Sequence, residues 1–240
     1  GLIELYLSVN SLTGSIPSSI GCMTALSTLT LADLSLTGTI PATLGSLTGL
    51  VDLFLYSNSL SGPLPSSLGS LTRLVELNIY DCNLDGPIPS SVGSMYDLEV
   101  FDFSNNYFTG VLPADLFNLR LVLFNVHNNK ISGSIPSVLK HQVSALLFVN
   151  LVQNLFTGTL PLLNLDLNTY DVSDNYFSGP LPAVVSRDLF LLSVADTLID
   201  GTLPATLISS SALHTVDVSG TQIGRLIVFC VCTGVSPLEF

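Results

Sequence analysis

The sequence predicts a right-handed α/β solenoid, a stack of about ten coils whose short strands form one parallel, concave sheet. Three observations carry this. The stretch Leu50 to Arg73, LVDLFLYSNSLSGPLPSSLGSLTR, recurs with variations from end to end. Inside it, apolar residues alternate with others over only a few positions, the period of a short strand. A glycine followed three residues later by a proline returns in nine of ten copies.

Numbered from 1 at Leu50, the unit has apolar residues at positions 1, 4, 6, 11 and 15 (Leu50, Leu53, Leu55, Leu60, Leu64). Leu53 and Leu55 face one way; Asp52, Phe54 and Tyr56 face the other. One unit cannot bury its leucines alone, so neighbours must stack. LxxLxLxxN at a period of roughly 20–29 residues marks a leucine-rich repeat. Units begin at Leu2, Leu26, Leu50, Leu74, Leu98, Leu121, Leu146, Leu167, Leu189 and Leu213. Residues 1–228 are therefore expected to form the solenoid, and 229–240 a degenerate C-terminal cap or tail. In the tenth unit Arg225 and Val228 replace the glycine and proline. The chain opens almost directly on a strand with no N-terminal cap, and so reads as a piece of a longer protein.

Each fixed column has a structural reason. Glycine at position 13, from Gly14 to Gly201, predicts a bend with positive φ or close backbone approach. Proline at position 16, from Pro17 to Pro204, fixes φ and turns the chain away from a second extended segment. Asparagine at position 9 (Asn10, Asn58, Asn106, Asn129, Asn154, Asn175) is expected to satisfy backbone groups inside the bend from coil to coil. Unit length varies only on the return, which reads as a loop or short helical turn.

Six basic against 18 acidic residues give a net charge of −12. That argues against nucleic acid, which needs a basic face, and favours basic proteins, peptides or cations. The longest apolar run, near Leu226 to Val231, falls far short of the roughly 20 residues of a spanning helix. Of the four cysteines, Cys82 takes position 9 and reads as a buried free thiol serving the same turn. Cys22 lies on another side of the coil, too far to bridge to it. Cys230 and Cys232 are too close in sequence for an easy mutual bridge; with His214 they are only three scattered ligands, so no metal or cofactor is expected.

The elements LTGSIP (Leu12 to Pro17) and LTGTIP (Leu36 to Pro41) resemble those of the plant-type leucine-rich repeat. The likeness covers nearly the whole chain and includes receptor-like kinase ectodomains and polygalacturonase-inhibiting proteins. It implies a curved solenoid whose concave sheet binds partners, at the cell surface or outside the cell. The chain departs from the family by lacking cysteine-paired flanking caps and any N-x-Ser/Thr sequon.

The concave face is expected from positions 2, 3, 5, 7 and 8. Eleven of the 18 acids fall there and no Lys or Arg does, where random placement would give about four acids. They are Glu4, Asp33, Asp52, Glu76, Asp81, Glu99, Asp102, Asp171, Asp174, Asp196 and Asp217. Two readings stand side by side: an acidic binding surface, or turn chemistry habitual to the repeat. Phe54, Tyr56 and Tyr80, from adjacent units, suit a contact patch able to hold Arg or Lys; the alternative is packing over neighbouring strands. Asp174 and Asp196 occupy position 8 of neighbouring units, a like-charged pair expected to attract a cation. The residues expected to meet a partner are Asp52, Phe54, Tyr56, Glu76, Tyr80, Asp102, Asp171, Asp174, Asp196 and Asp217.

No nucleophile elbow, phosphate loop or histidine cluster appears, and His127 has no Ser or Cys partner at a catalytic spacing, so no enzyme is expected. The function expected is noncatalytic recognition of a basic protein or peptide by a receptor-like ectodomain. The alternatives are a soluble inhibitor of a basic cell-wall hydrolase and, remotely, an ice-binding solenoid using threonine rows such as Thr37/Thr39. Pro63, Asp85, Pro87 and Val111 interrupt those rows.

Overall fold

The computed structural model describes residues 1–135, 146–161, 167–183, 186, 188–208, 210–225, 227–228 and 238–239. Each repeat contributes two short strands. The first set, from Glu4–Tyr6 through Asp52–Phe54 and Val100–Asp102 to Thr215–Asp217, forms a ten-stranded parallel sheet in chain order. The second set, from Thr13–Ser15 to Gln222–Arg225, forms another ten-stranded sheet in the same order. Strictly sequential parallel pairing means every coil advances by one strand in the same direction. Ile227–Val228 pairs antiparallel with Leu238–Glu239; Cys230, Cys232 and the rest of the expected tail lie outside the described residues.

The register keeps the columns aligned. Leu53 pairs with Leu29 and Leu77, and Asp52 with Thr28 and Glu76. Positions 1, 4, 6 and 11 therefore stack into an apolar column; Leu26, Leu29, Leu50, Leu53, Leu55, Leu60, Leu74 and Leu77 are fully buried. Each such side chain contributes about 1.5–3 kcal/mol through burial. Midway, phenylalanine takes over. Phe101 and Phe103 stack at 3.8 Å, Phe101 lies 5.3 Å from Phe124, and Phe103 lies 5.4 Å from Phe108.

The bend after the first strand rests on two backbone devices. Position 8 is left-handed in nine repeats, with φ of 51–58° from Val9 to Asp196. Asn and Asp tolerate that region best, which gives Asp33, Asp81, Asp174 and Asp196 a conformational reason to be there. Position 13 is left-handed too: Gly14 to Gly201 have φ of 73–90°, as the glycine column predicts.

The asparagine column satisfies the bend as expected. Asn106 accepts the Leu84 N–H at 3.0 Å through Oδ1 and donates through Nδ2 to the carbonyls of Ile79 (2.9 Å), Phe103 (3.2 Å) and Ser104 (3.1 Å). Asn58, Asn129, Asn154 and Asn175 likewise accept from Leu36, Phe108, Ile131 and Phe156. Each reaches back into the preceding coil. Cys82 is a buried free thiol whose Sγ meets the Leu55 carbonyl at 3.5 Å. Thr197 and Thr221 bond the position-6 carbonyl of their own coil, Val194 and Val218.

The return is a five-residue 3₁₀ turn in each of the first five repeats, from Ser18–Cys22 to Ala114–Asn118. It starts immediately after the position-16 proline, whose φ lies between −60° and −72°. The only α-helix among the described residues is the four-residue Ala205–Ile208. The backs of the coils touch: a Cβ on Gly45 would sit 2.3 Å from the Ser67 carbonyl oxygen of the next return.

Candidate functional site

Because the first sheet keeps its register, each outward position becomes a continuous row. Position 3 reads Glu4, Thr28, Asp52, Glu76, Val100, Leu123, Phe148, Thr169, Leu191 and Thr215 along the sheet. The row is acidic at one end and mostly apolar from repeat 5 onward. Position 5 reads Tyr6, Thr30, Phe54, Asn78, Asp102, Asn125, Asn150, Asp171, Ser193 and Asp217 over the same pairs.

The structure divides the ten expected partner residues into two groups. Asp52, Phe54, Tyr56, Glu76, Tyr80 and Asp102 lie on or just beyond three adjacent strands. All six are half-buried. Tyr56 and Tyr80 stack at 4.5 Å with 4° between the rings, and Phe54 tilts against Tyr56 at 6.4 Å. The rings pack on each other across neighbouring repeats, as the packing alternative expects, and remain only half-buried. Asp171 and Asp217 lie on strands 8 and 10, while Asp174 and Asp196 lie in the left-handed turns after strands 8 and 9. Among the described residues no group of three or more metal-ligating side chains assembles.

The position-5 acids also have a local task. Asp102 Oδ1 accepts from the N–H (3.0 Å) and hydroxyl (2.6 Å) of Ser104, and its Oδ2 accepts from Asn125 at 3.0 Å. Asp217 accepts from Ser219 N–H at 2.9 Å and its hydroxyl at 2.7 Å, and Asp171 makes the same two bonds with Ser173. Asn150 Oδ1 accepts the N–H of Val152 alone, at 3.1 Å. The donors are neutral, so these bonds fix the turn without cancelling the charge.

Electrostatics follow the crowding. Burial, then the charges of Asp52 and Glu99, raise the Glu76 carboxyl above the usual range. Burial, then Tyr56 and the charges of Asp102, Asp33 and Asp81, raise the Tyr80 phenol. Hydrogen bonds from Ser219, first its hydroxyl and then its N–H, hold the Asp217 carboxyl below its ordinary value. The described basic side chains sit elsewhere: Arg73 and Arg120 precede first-sheet strands, and Lys130 starts a second-sheet strand. His127 is half-buried, its Nδ1 3.2 Å from Asn125 Oδ1.

Two features escaped the sequence reading. One is the change along position 3 just described. The other is position 10, which is Ser11, Ser35, Ser59 and Asn83 in the first four repeats and then Tyr107, Lys130, Leu155, Tyr176 and Leu198. All five are exposed, and Lys130 Nζ lies 5.2 Å from the centre of the Tyr107 ring. The signal was available by reading position 10 down the repeats rather than along the chain.

Comparison with known proteins places this geometry. The Leucine Rich Repeat family model matches residues 1–23, 49–71, 73–95, 97–119 and 120–142. Receptor-like protein 35 of Arabidopsis thaliana is 38% identical over 115 residues, covering 46% of this chain and 12% of that protein. The ectodomain of the Arabidopsis receptor kinase HAESA, solved with an N-terminally extended IDA peptide hormone ligand, is 31% identical with a TM-score of 0.81. That match covers 92% of this chain and 38% of the ectodomain. A plant ice-binding protein, 24% identical with a TM-score of 0.77 over 92% of this chain and 75% of that one, shares the fold. The chain thus spans a small fraction of the receptor-like relative and well under half of the receptor ectodomain. The chain carries leucine-rich repeats, and it is similar in sequence and in fold to plant receptor-like proteins and receptor-kinase ectodomains.

Proposed function

We propose that the first sheet is a noncatalytic recognition surface for a protein or peptide of basic character. In this reading the chain is part of a receptor-like ectodomain in signalling or defence, at the cell surface or outside the cell. One observation carries it. On repeats 3 to 5 the sheet presents a stacked aromatic pair among Asp52, Glu76, Asp81, Glu99 and Asp102, and no Lys or Arg occupies any outward position of the sheet. Charge confined to one face of a concave surface focuses the field and speeds encounter with an oppositely charged partner. The receptor kinase ectodomain solved with its peptide hormone supports the same use of a similar solenoid. Among the described residues no helix is long and apolar enough to cross a membrane.

The test is binding of a basic protein or peptide to the whole chain across a salt series. Affinity should fall at least about tenfold between about 50 mM and about 500 mM NaCl. Asp52→Asn with Glu76→Gln should weaken binding, and Asp85→Asn, on the second sheet, should not. Salt-independent binding, or equal loss from the second-sheet variant, would refute the reading.

A further inference from the structure

The second sheet changes character at repeat 5. Its first outward position, serine or asparagine in repeats 1 to 4, becomes Tyr107, Lys130, Leu155, Tyr176 and Leu198. The four apolar side chains are 42–53% exposed. Each member of the row from Lys130 onward stands beside a small residue of the coil before. Lys130 pairs with Thr109, Leu155 with Ser132, Tyr176 with Thr157 and Leu198 with Ser178. The flank is therefore a ridge of long side chains with a groove of Thr and Ser running alongside it. An exposed apolar row of this length marks a surface that a partner covers.

A second copy of the chain fits this surface in shape. Half a turn about an axis parallel to the stack, midway between ridge and groove, lays each ridge into the other copy's groove. Such a contact is isologous, with the same residues used on both sides. Charge agrees with shape. Of the outward positions 10, 12 and 14 in repeats 4 to 9, only Asp85, Lys130 and Asp200 are charged, in a chain that carries −12 overall. Two copies meeting here bring few like charges together. Lys130 reaches over Tyr107, its Nζ 5.2 Å from the ring centre, toward the coil that holds Asp85. The half turn sets Asp85 of the second copy opposite Asn83, one coil from that ring, so each ammonium meets a carboxylate across the contact. Repeats 4 to 9 span about 24 Å, and the outward residues of one strand cover about 15 Å. That footprint of about 400 Å² is about half the share each partner gives to a standard interface, which makes the contact weak and reversible.

We propose that the chain forms a weak two-fold dimer through the ridge and groove of repeats 4 to 9. The contact leaves the first sheet free, and it does not depend on the recognition reading above.

Sedimentation velocity of the whole chain tests this, with a reductant present so that the exposed Cys22 cannot crosslink copies. At about 150 mM NaCl the mean mass should rise at least about 1.5-fold between about 5 µM and about 200 µM protein. Thr157→Tyr fills the groove while making the surface more apolar. It should hold the chain monomeric, whereas a merely adhesive surface would associate more. Lys130→Glu and Asp85→Lys should each remove the dimer alone, and mixing the two variants should restore it, because each copy then supplies the charge that the other needs. Unchanged melting accompanies a valid variant. If Thr157→Tyr unfolds, Leu155→Lys takes its place, since position 10 already holds a lysine in repeat 6. A monomer at every concentration would overturn the proposal and leave the flank to a different occupant. Association that Thr157→Tyr strengthens, or a mixture of the two charge variants that stays monomeric, would overturn it as well.

Discussion

Replacing Asn106 by alanine tests the stitch between coils. Asn106 is 5% exposed, and Leu84, whose N–H it accepts, is fully buried. Of its four bonds, two have replacements: the Phe103 carbonyl keeps Asn129 at 3.0 Å and the Ser104 carbonyl keeps the Asp81 N–H at 3.0 Å. The Leu84 N–H and the Ile79 carbonyl lose their side-chain partner. A buried group left unsatisfied costs about 1–3 kcal/mol, so the substitution should cost about 3–4 kcal/mol. For a chain of this size that is a drop in Tm of about 10 °C. Asn10→Ala is the control. Asn10 is exposed and donates only to the Leu7 and Ser8 carbonyls, so it should cost under about 1 kcal/mol. Urea unfolding followed by circular dichroism measures both. An Asn106→Ala midpoint equal to that of Asn10→Ala would refute the claim that the column holds the coils together.

Other consequences are equally direct. With Cys230 and Cys232 replaced by serine, a thiol reagent should modify Cys22 at once and Cys82 only as the protein opens, because burial pushes the Cys82 thiol up to about 11 while Cys22 is exposed; equal rates would contradict the burial. Glu76 and Asp217 should show opposite pH signatures. The raised Glu76 carboxyl favours the fold below its unfolded pKa and loses that contribution as pH rises through its folded value, so Glu76→Gln should stabilise at neutral pH and not in acid. The lowered Asp217 carboxyl contributes above its unfolded pKa and loses this as pH falls through its folded value, so Asp217→Asn should destabilise at neutral pH only. Melting curves from pH 3 to pH 8 decide both. Val9 holds φ of 58° with a β-branched side chain that is 79% exposed, so Val9→Asn should stabilise by about 1 kcal/mol, read as a rise in urea midpoint.

The coil architecture was legible because each of its devices occupies one position in every repeat. Gly62 and its equivalents announced a left-handed bend, Asn58 and its equivalents a buried bridge, and Cys82 a buried thiol in the same turn; the structure has all three. The face was legible in outline, because period two fixes which residues point outward. What the text did not separate is charge with a backbone reason from charge without one. Asp174 and Asp196 look like neighbouring repelling acids in sequence, yet they occupy a turn whose φ favours their residue type. Asp102 and Asp171 likewise hold the serine two residues on. Glu76, on the strand itself, has no such local bond among the described contacts and carries the shift of a crowded carboxyl. That difference depends on φ and on a two-residue reach, and neither is visible in a column of letters.

The side-chain bridges run from each coil into the one before it, and they do not cover the whole stack. Leu34 occupies position 9 of the second repeat, and Thr197 and Thr221 of the last two bond only within their own coils. The asparagine lacing therefore holds the middle of the stack and is missing from both extremities, where hydroxyl bonds such as Ser27 to the Ile3 carbonyl and Thr206 to the Ala183 carbonyl cross between coils instead. Amide exchange should advance inward from each terminus, and a partner that clasps the outer coils would firm up the parts that open first.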